Sequence, residues 1–332
     1  MLRERLDALA DAGLELEEAQ REAIELLRRA VGFERWCWPS TDPGSAVSTG
    51  GIAEFDLWPE LPRIAELEEH GDITSRPALV LGRRQSVALS GATGGDLAQS
   101  RRWRECLRPY GVGDELMTVC RDRHGCWGSV ELMRDSDEPP FDEADVELLH
   151  ELAPTLGRLL RRSAPRSGGG AAPLPPATLI LDGELRPTSW TPAFLAWGDL
   201  PPAVFEIGAR VRAGEASPLP AVVRFRTPQG WAAIEGARLQ GAGDGDIALT
   251  LRAATPDEIF DLLCMTYDLS RRERQLVALV LDGLATKQLA VALSISPHTV
   301  QDHLKSVFAK TGARTRGELR SRLAGPVPQY DR

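Results

Sequence analysis

At positions 15–30 the apolar residues Leu16, Ala19, Ala23, Leu26 and Leu27 fall near one face at helical spacing, with glutamates and arginines opposite; this predicts an amphipathic helix. Two β-prone runs, 115–120 and 126–133, flank Asp122-Arg123-His124-Gly125 and predict a hairpin with glycine in the left-handed turn position. That register sets Asp122 opposite Cys126 and Cys120 opposite Gly128, so the two sulfurs stand apart. A shifted register would pair them, and a redox or metal role with His124 as helper is the minor alternative to ordinary packing. Val146, Leu149, Leu152, Leu156, Leu159 and Leu160 then mark a second helix, led by acids and closed by Arg158, Arg161 and Arg162, as its dipole favours.

Residues 163–176, with three consecutive glycines and four prolines, cannot nucleate helix or strand and read as a flexible linker. Beyond it, 177–181, 221–226, 231–239 and 246–252 read as strands between turns rich in Gly, Pro and Asp, with one or two short helical turns at 189–197. Strand patterning stops at 253–256 and helical spacing begins. No internal repeat is visible.

The last stretch is the most regular. Ser270 and Glu273 form a capping box that opens a helix with Leu276, Leu279 and Val280 on its buried stripe, and Gly283 can stop it. Thr286 is placed to cap a short helix at 287–293, and Ser294-Ile295 makes a tight turn. Ser296 caps a third helix with Pro297 at its first position, where a missing amide costs nothing. That helix buries Val300, Leu304, Val307 and Phe308 and presents Gln301, Asp302 and Lys305, with His298 and Thr299 near its start. A second capping box, Thr315 with Glu318, opens a fourth helix. Together these are a helix-turn-helix with a helix before and after.

Charge sharpens this picture. Positions 269–324 hold ten basic and four acidic residues, a net of +6, while the whole chain is −9, so the remainder carries −15. A basic module on an acidic body is the electrostatic footprint of a phosphate-backbone binder. The chain has three lysines, Lys287, Lys305 and Lys310, against 36 arginines. Their absence before 287 excludes Schiff-base chemistry and a Walker-A loop there, and with them a phosphoacceptor receiver domain completed by a lysine. No Ser-His-Asp ordering or HExxH precedes residue 269, so an enzyme is not expected. Five scattered cysteines do not make a disulfide scaffold. The charged start and the lack of a long apolar run lead to an expectation of cytoplasmic residence with no membrane partner.

The sequence LSRRERQLVALVLDGLATKQLAVALSISPHTVQDHLKSVFAKTGARTRGEL closely resembles the LuxR-type (GerE-like) DNA-binding domain over about 56 residues without a gap. The resemblance implies a four-helix domain that sets its third helix in the major groove of double-stranded DNA and acts as a homodimer on a two-fold site. By it Gln301, Asp302 and Lys305 face base edges, while Lys287, Ser296 and Thr299 hold phosphates; Thr286, His298 and Val300 complete the expected DNA-binding set, and His303 has a structural or phosphate role. Two departures bear on the target sequence. Gln288 stands where the family usually has glutamate, and Asp302 either accepts from a cytosine amino group or pairs with Lys305.

The hairpin DRHGCWGSVEL and the helix PFDEADVELLHELAPTLGRLL resemble a GAF domain, and LILDGELRPTSWTPAFLAW resembles the opening of a PAS domain. The expected fold class is therefore α+β and multidomain. A GAF-like α/β domain spans 1–162, a Gly/Pro-rich linker 163–176, a β-rich PAS-like domain 177–254, a connecting helix 255–268, the all-α helix-turn-helix domain 269–325 and a tail 326–332. Trp36-Cys37-Trp38 is a candidate pocket lining against the commoner reading as core, and Trp190, Trp197 and Trp231 carry the same ambiguity. The expected function is a sequence-specific transcriptional regulator controlled by a small-molecule effector or partner, with RNA polymerase a candidate partner. The alternative is a signalling adaptor tethered to DNA with no small-molecule ligand. No cofactor, metal or ligand-binding residue is named by the sequence.

Overall fold

The computed structural model describes residues 1–54, 57–164, 173–198, 201–241 and 245–323. Most of the expected linker and the expected tail lie outside the described residues. The chain divides into two compact units: Met1–Ser163, Leu174–Arg226 and Ala232–Ala253 form the first, and the helices from Ala254 on, together with Thr227–Trp231, belong to the second.

The first unit holds two five-stranded sheets. The amino-terminal one is built from β1 (Arg35–Thr41), β2 (Ser48–Ala53), β3 (Ser86–Ala88), β4 (Val112–Asp122) and β5 (Gly125–Asp135), in the order β2-β1-β5-β4-β3. Its helices are α1 (Leu2–Asp11), α2 (Leu16–Val31), α3 (Leu61–Glu69), α4 (Arg76–Leu81), α5 (Leu89–Ala92) and α6 (Glu143–Ser163). The long α6 lies on β4, and α1 and α2 pack on α6. It approaches so closely that a Cβ on Gly157 would sit 2.9 Å from the Cys120 carbonyl oxygen. The expected apolar stripe of α6 is buried throughout. In α2 the buried stripe is Ala19, Ala23, Ile24, Leu27 and Val31, rotated from the expected one.

The hairpin forms, but with a shorter turn than expected. Asp122 pairs with Gly125 and Arg121 with Cys126, and the register shifts between Val119 and Arg121. Gly125 has φ +140°, and a Cβ there would meet the Pro43 carbonyl oxygen at 2.2 Å, so this turn requires glycine. All five cysteines are free, and no cluster of His, Cys, Asp and Glu among the described residues is arranged to hold a metal.

The second sheet comprises β6 (Ala177–Leu181), β7 (Pro187–Trp190), β8 (Val222–Thr227), β9 (Gly230–Arg238) and β10 (Ile247–Ala253), in the order β7-β6-β10-β9-β8, with α7 (Ala203–Ala213) before β8. Counted from its own first strand, each sheet runs 2-1-5-4-3, a structural repetition with no sequence trace. Leu179, Val223, Ile234, Leu249 and Leu251 meet Val204 and Ile207 of α7 in one apolar core. β7 and α7 were not expected from sequence: all four residues of β7 are exposed, and α7 is buried on more than one side, so neither shows a periodic stripe.

Helices α3 and α7 pack together, which joins the two sheet modules. Buried ion pairs fix the junction: Arg210 with Glu69 at 2.7 Å, Arg224 with Asp42 at 2.7 Å, and Arg76 with Glu206 at 3.3 Å. Beside it lies a cavity of about 500 Å³, lined by β1, β2, α3, α4 and the start of α7. Trp36 and Trp38 are buried core residues, whereas Cys37 between them lines the cavity. Trp190 is exposed, and Trp197 packs partly against the second core.

The second unit is helical: α8 (Pro256–Thr266), α9 (Arg271–Leu281), α10 (Thr286–Ala292), α11 (Pro297–Thr311) and α12 (Arg316–Leu323). The expected connecting helix, α8, opens on a reciprocal capping box between Thr255 and Glu258. Its Leu263 and Cys264 enter the same core as Leu276, Leu289, Leu304 and Leu319, so α8 is part of the helical domain rather than a spacer. No helix among the described residues is long and apolar enough to cross a membrane.

Candidate nucleic-acid interface

The interface is built outward from Glu273. Ser270 Oγ accepts from the Glu273 amide at 3.3 Å and the carboxylate accepts from the Ser270 amide at 2.6 Å, the reciprocal capping box that starts α9. The same carboxylate accepts from Ser306 Oγ at 2.6 Å and Lys310 Nζ at 2.7 Å, both on α11. Glu273 therefore fixes α9 to α11. Burial pushes its carboxyl up, but the hydrogen bonds from Lys310, Ser306 and Ser270 outweigh this and hold it at about 2. Sequence reasoning found the cap and missed the clamp, because the residues it grips lie more than thirty positions away.

The start of α10 differs from expectation. Ala285, not Thr286, is the N-cap, and its amide donates to Gln288 Oε1 at 2.8 Å. Gln288 thus supplies the returning half of a capping box, which an amide oxygen does as well as a carboxylate. Thr286 Oγ1 instead accepts from Arg316 Nη2 at 2.9 Å. The turn into α11 passes through Ser294 at φ +53°. A left-handed residue with a Cβ costs about 1 kcal/mol, partly offset in glycine by its freedom in the unfolded chain. Ser294→Gly is expected to stabilise the unit by about 0.5 kcal/mol and Ser294→Val to destabilise it by about 1–2 kcal/mol, read from urea midpoints.

Ser296 caps α11 as expected, accepting from the Thr299 amide at 3.0 Å, with Pro297 in the first turn. Of the residues expected to meet DNA, His298, Gln301, Asp302, Lys305, Ser296 and Lys287 are exposed and Thr299 is half-buried. Val300 is not available: it is 0% exposed and packs with Leu304 and Val307 in the core, so its expected place in the DNA-binding set is corrected. Asp302 is held from both sides, by His298 Nδ1 at 3.0 Å and Lys305 Nζ at 3.9 Å. The pairing with Lys305 was one of two expected fates; the closer pairing with His298, one turn earlier, was missed. His303 is half-buried beside this face.

Much of the positive charge serves the fold. Arg322 donates to the Thr311 carbonyl at 2.8 Å, Arg316 to Leu284 O at 2.9 Å, Arg320 to Leu281 O and Arg272 to Leu293 O. These carbonyls end helices or follow them, where partners and positive charge are both wanted. Glu318 accepts from the Arg314 amide at 2.8 Å rather than from Thr315, so the second capping box closes one residue early. Lys287 has no side-chain partner among the described residues, and Lys305 only the loose contact with Asp302, which leaves both free to meet phosphates or bases.

Comparison with known proteins bears on this geometry directly. Residues 268–322 match the family described as bacterial regulatory proteins, luxR family. The match spans the helix-turn-helix and the helices on either side of it. Residues 15–160 match the GAF domain. Among curated relatives, the monoamine regulon transcriptional regulator of Klebsiella aerogenes is 43% identical over 61 residues, 18% of this chain and 27% of its own length. The transcriptional regulatory protein FixJ of Rhizobium meliloti (strain 1021) is 40% identical over 78 residues, 23% of this chain and 38% of its own. The chain thus spans between about a quarter and two fifths of the length of these two relatives. The solved structure of Escherichia coli SdiA covers 97% of this chain and 96% of its own at 13% identity, with a TM-score of 0.33, too low to carry an argument.

Proposed function

We propose that the chain is a sequence-specific transcriptional regulator in which the LuxR-family domain binds duplex DNA and the first unit senses a small-molecule effector. The observation that carries this is α11 itself: inside a segment matching the luxR family, it is braced by Glu273 and presents Gln301, Asp302 and Lys305 to solvent. In this reading α11 lies in the major groove, Gln301 and Lys305 reach base edges, and Lys287, Ser296 and Thr299 hold phosphates. His298 keeps Asp302 turned from the phosphates until a base amino group replaces it.

The helical domain is taken to run from Ala254, with α8 included, and to act as a homodimer on a two-fold site, in the cytoplasm and beside RNA polymerase. The module at 177–254 is read as PAS-like, supported by its 2-1-5-4-3 strand order and single long helix between the second and third strands. The cavity in the first unit favours a ligand sensor over a ligand-free adaptor.

Footprinting of the full chain on its own genomic DNA tests the reading. A discrete operator is expected, with log affinity falling against log salt by about 0.9 per neutralised phosphate. Binding without sequence preference even in dilute salt would overturn it.

A further inference from the structure

The cavity beside α3 holds more buried negative charge than the protein balances. Arg102, 1% exposed, grips Glu115 with both guanidinium ends. Arg76, 7% exposed, is taken up by Ser48 Oγ at 2.7 Å, the Ala46 carbonyl at 3.4 Å and Glu206 at 3.3 Å. The Nε atoms of both arginines are buried without a hydrogen-bond partner. Glu206 is further satisfied by the Ser48 amide at 3.1 Å.

Glu54, at the exposed edge of the lining, pairs with Arg28 at 2.6 Å, and two lining carboxylates remain. Glu131, 7% exposed, receives only neutral donors among the described residues, the Cys37 thiol at 3.0 Å and Ser129 Oγ at 3.1 Å. Burial and the Glu131 charge push the Cys37 thiol up, so it stays protonated and donates. The Glu68 carboxylate, 6% exposed, accepts no hydrogen bond among the described residues and meets a cation at Arg76 Nη2, 3.7 Å away. Buried carboxylates are costly unless a cation or a proton offsets them. Pro39, Ile52, Leu57, Leu61, Ile64 and Pro202 give the rest of the lining an apolar character.

We infer that this cavity binds a small organic cation, an ammonium head between Glu68 and Glu131 with an apolar body against Ile52, Leu57, Leu61 and Ile64. The inference rests on reading the first unit as the sensor, and deepens it by naming the class of effector. A volume of about 500 Å³ suits a ligand of metabolite size. Burial pushes the Glu68 carboxyl up to about 7; Arg76 and Arg102 pull it back only in part, and Glu131 and Glu206 raise it further. Near neutral pH a proton therefore occupies the place that the ammonium takes, and affinity rises as pH climbs through about 7. Pro202 and Glu206 belong to the second sheet module, so the bound cation touches both modules at their junction.

Calorimetry of the full chain with hexylammonium, 1-hexanol and hexanoate, at a pH above the Glu68 titration, tests the assignment, because the three probes differ only in head group. Saturable binding of hexylammonium is expected, roughly tenfold or more tighter than hexanol, with hexanoate weakest. Glu68→Gln and Glu131→Gln are each expected to remove about tenfold of that preference and leave hexanol binding unchanged. Equal binding of all three, tightest binding of hexanoate, or no saturable binding overturns the inference, and the wild-type series decides this even if a variant fails to fold. Operator affinity is measured in parallel with and without hexylammonium. Operator binding with no amine binding removes the cation site and leaves the regulator reading standing. Amine binding with no operator removes that reading and supports the site.

Discussion

Replacing Thr299 and Lys305 together by alanine is expected to weaken operator binding by the full chain roughly hundredfold or more, while binding to unrelated duplex falls far less. A side chain hydrogen-bonded to a base edge supplies about 1–3 kcal/mol of discrimination, and a hydrogen bond to a charged phosphate about 1.5–3 kcal/mol. Neither change touches the core. Lys305 is exposed and meets only Asp302, at 3.9 Å, and the Thr299 amide that Ser296 caps is retained by alanine. The melting transition should therefore shift by no more than about 0.5 kcal/mol. Lys287→Ala is the contrasting control: it should lower affinity for all sequences alike and reduce the salt slope by about 1. Fluorescence anisotropy with operator and scrambled duplexes separates the two patterns. Unchanged operator affinity in the folded double variant would falsify the placement of these residues.

The helical domain was legible in sequence because its signals are local. Ser270, Ser296 and Gly283 mark helix ends within a turn of where the structure places them, and the buried face of α11 follows from Val300, Leu304 and Val307. The same signals misassign residues whose partners are distant. Thr286 looks like a cap from its neighbours, yet it answers to Arg316, thirty positions on. Val300 sits between half-buried Thr299 and exposed Gln301 in sequence, but one residue is about 100° of helix, enough to turn it into the core. The charge of +6 likewise counts arginines that the fold spends on helix-end carbonyls. The cavity had almost no sequence signature. Glu68, Glu131 and Arg76 come from a helix, a strand and a second helix, and nothing in their spacing shows that they meet. Only Cys37 was named beforehand, as part of a tryptophan-flanked triplet whose other members proved to be core.

Glu273→Gln is expected to destabilise the helical unit by about 2–3 kcal/mol near neutral pH, and the deficit should disappear in acid. The carboxyl titrates at about 2 in the folded chain against an ordinary value of 4.5, so its ionised form is favoured by folding. That contribution is complete above about 4.5 and is lost as pH falls through about 2, below which wild type and variant both carry a neutral group. Urea midpoints of the two proteins should therefore converge across that window. A difference that stays constant with pH would show that shape, not charge, holds the cap. A double-mutant cycle with Lys310→Met isolates the α9–α11 contact, with a coupling of roughly 1–2 kcal/mol expected for a half-buried pair at 2.7 Å. Because Ser306 and Lys310 lie on the helix that carries Gln301 and Lys305, the same substitution should weaken operator binding in protein that remains folded. Loss of affinity there, with no DNA contact removed, separates a residue that positions α11 from one that touches the duplex.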